Sequence, residues 1–175
     1  MAKNRLKGGM EGAFTHDMKD IVNHNFRDVS LCTTQLDMVT STTGTTLTDV
    51  PGMISDTLEP GQYEFVINCR TIATANTGIS LALKWGTASM ITAQTYQADA
   101  KTASGVVTTA GTTASDQTLL LDSATGVVVN AVIHGVFTVA IAGTVKLQAA
   151  QHTASSDTTS VYLNSKMEFK RIATN

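Results

Sequence analysis

Charge is scarce in this chain. Only 15% of its 175 residues are Asp, Glu, Lys or Arg, and the formal net charge is −2. A protein that coats nucleic acid needs a basic surface to displace counterions, so that class of function is not expected. Surface so poor in charge suits an interface with other subunits. Cysteine is scarcer still. Cys32 and Cys69 make no Cys-x-x-Cys, which argues against a zinc ribbon or a redox centre. They could pair only with Cα atoms within about 7 Å, and two small hydrophobes that happen to be thiols is the simpler reading. Proline occurs twice, as Pro51 and Pro60, and each is expected where a strand begins or ends. No apolar run reaches the roughly 18 residues of a membrane-spanning helix. A signal peptide is not expected either, because Gly8-Gly9-Met10-Glu11-Gly12 stands where an apolar segment should follow Lys3, Arg5 and Lys7.

What the chain has in plenty is Thr and Ser, together roughly a quarter of the positions. Thr suits half-buried strands, because its branched side chain packs on the pleat and its hydroxyl tolerates water. Residues 1–13 are basic and Gly-rich and read as an arm. Residues 15–29 are the one helical candidate. Thr15 can cap it, Asp17 suits its first turn, and Met18, Ile21, Val22, Phe26 and Val29 recur at helical spacing. That stripe must bury against its own domain or against a neighbouring subunit.

From about residue 33 the period changes to two. Tyr63, Phe65, Ile67 and Cys69 alternate with Gln62, Glu64, Asn68 and Arg70, and only Val66 breaks the polar side. Ile79, Leu81, Leu83 and Trp85 repeat the rhythm, as do Val145, Leu147 and Ala149, then Val161, Leu163, Met167 and Phe169. Half-buried antiparallel strands require this alternation, since successive side chains point to opposite faces. Turn signals separate the strands at Glu59-Pro60-Gly61, Asn76-Thr77-Gly78, Ala142-Gly143 and Ser155-Ser156-Asp157. The expected fold is all-β, an antiparallel sandwich or barrel, with residues 1–32 as an arm bearing a short helix and 33–175 as the β domain.

Two stretches break the pattern. Val127 to Ile141 is apolar on both faces, and Thr102 to Ser115 contains no acid or base. The first implies a covering layer beyond the sandwich partner. The second reads as a long loop lying against a partner. Together they predict an oligomer, with Val128, Val132, His134 and Val136 as candidate interface residues.

Convergent chemistry is hard to find. His16 and His24 would lie about 12 Å apart along a helix, too far for one metal, and His134 and His152 read as solvated or interface residues. Acids are dispersed singly, so no carboxylate dyad is expected. Gly-x-Ser-x-Gly, His-Glu-x-x-His and a phosphate-binding loop are all lacking. Trp85, Tyr63, Tyr96 and Tyr162 are the residues a sugar-binding platform would need, but Trp85 falls in line with core positions. The expectation is a protein without catalysis, cofactor or metal.

Three stretches taken in order carry a resemblance. They are Thr45-Thr46-Leu47-Thr48-Asp49-Val50-Pro51-Gly52, then Leu58-Glu59-Pro60-Gly61-Gln62-Tyr63-Glu64-Phe65, then Val161-Tyr162-Leu163 through Met167-Glu168-Phe169-Lys170-Arg171-Ile172. Over residues 45–172 the chain resembles the jelly-roll-like module of bacteriophage capsid decoration (cement) proteins, head fibres and some tail-fibre tips. Pro-Gly-x-Tyr-x-Phe also opens strands in C1q/TNF-like trimers. The resemblance implies a jelly-roll-like sandwich of C1q/TNF-like trimer geometry and a homotrimer lacking catalysis. Its partners would be itself and the major capsid protein, with no membrane and no nucleic acid, and its place the capsid surface of a virion assembled in host cytoplasm. Residues 1–44 match no motif. Residues 1–30, as an attachment arm, offer Lys3, Arg5, Lys7, Met18, Ile21, Val22 and Phe26 as capsid-binding candidates. A receptor-binding fibre tip is the rival reading.

Overall fold

The computed structural model describes residues 29–33, 38–39, 45–73, 77–87, 89–102, 105–112, 117–123 and 128–173. The arm and all but the last residue of the helical stripe lie outside them. Thirteen strands are present among the described residues: β1 Val29–Thr33, β2 Met38–Val39, β3 Thr48–Ile54, β4 Gly61–Cys69, β5 Thr71–Ile72, β6 Ile79–Trp85, β7 Ile91–Thr102, β8 Gly105–Thr112, β9 Gln117–Ser123, β10 Val128–Val139, β11 Val145–Ala150, β12 Ser160–Val161 and β13 Lys166–Ala173. They form a six-stranded sheet in the order β1-β13-β4-β10-β7-β8, a four-stranded sheet β3-β11-β6-β9, and a small sheet β2-β12-β5. Every pairing is antiparallel. The chain repeatedly crosses between the two large sheets, so strands adjacent in a sheet are distant in sequence. This is the interleaved order of a jelly-roll sandwich, with the β7–β8 hairpin widening one sheet.

The two sheets share one core. Tyr63, Phe65, Ile67 and Cys69 of β4 all point inward, as their alternation requires. Phe65, Phe137 and Phe169 come from three neighbouring strands, with ring centroids 5.4–6.4 Å apart, and Tyr63 stacks on Phe137 at 5.8 Å. Leu81, Leu83, Trp85, Val145 and Leu147 close over them from the four-stranded sheet. Gly135 makes room for the Thr95 carbonyl oxygen of β7 and for the cluster, because a Cβ there would meet that oxygen first and lie 2.8 Å from the Phe65 ring. Gly61 serves the same purpose at the sheet's end, where a Cβ would lie 2.6 Å from the carbonyl oxygen of Ala173. Pro-Gly-x-Tyr-x-Phe thus opens a central strand directly beside the closing strand β13.

Several expectations need correction. Thr102 to Ser115 is not a loop: residues 105–112 form β8, paired with β7 over its whole length. Uncharged Thr and Val lack a clear alternation, which hid the strand. The expected closing strand from Val161 onward is broken. Val161 belongs to β12, Leu163 is 43% exposed, and Asn164 turns the chain in the left-handed region at φ 67°. Ser165 is the reason. It sits in the apolar rhythm but its hydroxyl donates to the Tyr162 carbonyl at 2.8 Å and accepts from the Arg70 N–H at 3.0 Å, tying down a turn. Pro51 stands inside β3 rather than at its end. It is tolerated because β3 is an edge strand and its pairing with β11 is bulged at that point. Val29 starts β1, so a helix cannot run through it.

Strands β6 and β11 also depart from simple alternation. Ser80, Ala82, Gln148 and Ala150 are buried on the side away from the core, so this sheet is covered on both faces. In β10 the opposite holds. Its inward residues Ala131, Ile133, Phe137 and Val139 are buried, while Val136 on the outward side is 41% exposed. Ile141 lies beyond the strand and is exposed.

Candidate functional site: the outward face of the six-stranded sheet

Directly opposed residues in an antiparallel sheet share a face, so the pairings define the outward surface row by row. Across β13, β4, β10 and β7 the first row is Lys166, Asn68, Val132 and Asp99. The second is Glu168, Val66, His134 and Gln97, and the third is Lys170, Glu64, Val136 and Thr95. Three of the expected interface residues, Val132, His134 and Val136, therefore lie side by side on one open face. Val128, the first residue of β10, is paired with Thr102 of β7, and its side chain is outside the described residues. Val132 is half-buried, while His134 and Val136 are exposed. Lys3, Arg5, Lys7, Met18, Ile21, Val22 and Phe26 all lie outside the described residues.

Sequence reasoning missed Val66 as a member of this site. It stands between His134 and Glu168, one row from Val132 on one side and from Val136 on the other. The signal was present, since Val66 is the one residue that breaks the polar side of its strand. The surrounding groups are polar and already engaged. Lys166 donates to Glu168 at 3.0 Å, and the Gln97 amide donates to Asp99 at 3.1 Å. Apolar side chains set among polar ones on an open face suit a protein–protein contact.

The other chemically suggestive residues are occupied in the fold. Trp85 and Tyr63 are core residues, and the Tyr63 hydroxyl donates to the Glu59 carbonyl at 2.9 Å. Burial pushes the Tyr96 hydroxyl up from its ordinary range. Tyr162 is half-buried under the Arg70 guanidinium, 5.7 Å from its ring centre. None of the four has the free face that a sugar platform would need. Cys69 is a free buried thiol, pushed up to about 12 by burial and only partly relieved by Ser165, so it stays protonated and unreactive. The strand carrying Cys32 is separated from β4 by β13, consistent with two unlinked thiols.

On the far side of the sandwich Asp49 accepts from Lys146 at 2.7 Å and from Gln148 at 2.6 Å. Those hydrogen bonds, Lys146 first, hold its carboxyl below the ordinary value against a small opposing effect of burial. This ties the edge strand β3 to β11. Among the described residues no three His, Cys, Asp or Glu side chains gather as a metal site, and no helix is long and apolar enough to cross a membrane. Comparison with known proteins finds no match, neither to a family model nor to a curated protein.

Proposed function

We propose that this protein is a structural subunit that acts by binding other protein subunits, and specifically a virion protein that decorates the outer surface of a phage capsid as a homotrimer. The observation that carries the subunit-binding reading is the open outward face of β10, where Val132 and Val136 flank His134, the residue opposite Val66. A sister chain laid on this face would remove those valines from water at roughly 25 cal/mol per Å² of apolar surface. The capsid assignment rests on the resemblance over residues 45–172, in which residues 61–65 of the second stretch and 167–172 of the third lie on the adjacent strands β4 and β13. Cementing follows from geometry. A trimer that bridges neighbouring capsomers resists their separation, and three weak attachments act together through effective concentration.

Two experiments separate the parts of this proposal. Light scattering should give Val132→Asp/Val136→Asp one third of the wild-type mass; equal masses would remove the face from the interface. Deleting residues 1–28, which spares β1, should leave a folded trimer that no longer binds shells. Unchanged occupancy on the shell would overturn the arm. The rival reading, a receptor-binding fibre tip, predicts labelling at the tail rather than the head in electron micrographs.

A further inference from the structure

We infer that β8 is an open strand edge that pairs antiparallel with β8 of a second copy of this chain, joining two six-stranded sheets into one.

Each large sheet ends in two edge strands, and the ones that can be compared are treated differently. The edge of β3 is blocked in three ways. Pro51 has no N–H to offer, a bulge interrupts the pairing with β11, and Asp49 is held in an ion pair with Lys146. Such devices keep an exposed ladder from recruiting another chain. None of them protects β8. Its eight residues pair with β7 in unbroken register from Thr95–Thr112 to Thr102–Gly105. It contains no proline, and the whole stretch from Thr102 to Ser115 has no charged residue in a chain that is 15% charged. Among the described residues no strand pairs with its other side, because β8 ends the sheet.

The same composition suits a second copy of the chain as the occupant. Antiparallel pairing about a two-fold axis sets residue i of one copy against residue j of the other and j against i, so a strand carrying one sign of charge would meet that sign again. Thr102 to Ser115 is free of both signs, and no register of self-pairing is penalised. A backbone ladder over eight residues supplies the directional bonds. The edge runs along the sheet's margin and the valine patch lies on its face, so this contact is independent of the trimer proposed above.

Charge at positions 108 and 110 tests the inference. The register sets these residues beside Asp99 and Gln97, on the outward-facing rows. Thr108→Lys/Ala110→Lys should halve the mass of the assembled species in sedimentation velocity, whether from hexamer to trimer or from dimer to monomer. Thr108→Glu/Ala110→Glu should do the same alone, and mixing the two variants should restore the larger species. A mass unchanged by these charges, or a mixture that stays small, overturns the inference. The trimer reading changes mass threefold through Val132 and Val136, so failure of one contact is distinguishable from failure of the other. If the charged variants do not fold, hydrogen exchange on the wild type decides. Amide protection over 105–112 should rise with protein concentration, and concentration-independent exchange overturns the pairing.

Discussion

The two large sheets share a core but differ on the side that faces away from it. On β6 and β11 the outward residues Ser80, Ala82, Gln148 and Ala150 are buried. On β4 and β10 the outward residues Glu64, His134 and Val136 are exposed. A sandwich needs only one buried face per sheet to fold. The asymmetry therefore shows which layer the chain encloses by itself and which layer it leaves to the surroundings. It also explains why an apolar residue has different consequences on the two sides of one strand, since Phe137 is core and Val136, its neighbour, is surface.

That contrast can be tested by cost. Phe137→Ala empties the centre of the four-ring cluster and should lower unfolding stability by about 3–5 kcal/mol in denaturant titration. Loss of less than about 1 kcal/mol would mean the cluster is not the shared core. Next, Ala82→Asp and Val136→Asp place the same charge on the two outward faces. The first should cost about 3 kcal/mol, because it buries an unpaired carboxylate, and the second well under 1 kcal/mol in the dissociated protein. Equal costs would abolish the asymmetry. Gly135→Ala should cost about 1–3 kcal/mol by pressing a methyl group against the Thr95 carbonyl oxygen first and the Phe65 ring next.

Smaller effects sharpen the picture. Gln94 is 4% exposed, faces inward beside Phe137, and neither atom of its amide has a hydrogen-bond partner. Gln94→Met should therefore be neutral or stabilising by up to about 1 kcal/mol. A loss of that size or more would show that the amide has a partner, such as buried water. The least effect belongs to the exposed pair on β3 and β11. Lys146→Met should change stability by about 0.5 kcal/mol or less at neutral pH. Asp49 has a carboxyl held below its ordinary 3.8, so the pair contributes above that pH. Its contribution is lost as pH falls from 3.8 through the lowered value. The difference between wild type and Lys146→Met should fade across that acid window, and a difference that persists below it would detach the effect from Asp49.

The parts of the fold legible in sequence were those where burial is one-sided and side chains are large. Strand β4 follows the alternation residue by residue, and β6 begins and ends at Ile79 and Trp85 as the pattern indicates. Strand β7 was overlooked because its inward positions are Gln94, Tyr96, Ala98 and Ala100, too small or too polar to mark a rhythm. Strand β8 hid in a run of Thr, Val and Gly. The closing strand was overextended because Ser165 keeps the period of two while its hydroxyl closes a turn. For the candidate site, β10 could be singled out from its two-sided apolar content, but Val66 joined it only through pairing across strands.

The sequence by itself determined that the chain is β-rich, which faces of its strongest strands are apolar, and that its charges are few and scattered. These follow from local geometry, because a pleated strand sends successive side chains to opposite faces whatever surrounds it. Only the tertiary structure decided which strands are neighbours, that one sheet is enclosed while the other keeps an open face, and which edges are blocked. Those properties depend on contacts between residues as distant in the chain as Val66 and Glu168, and no local pattern encodes which distant strand completes the ladder.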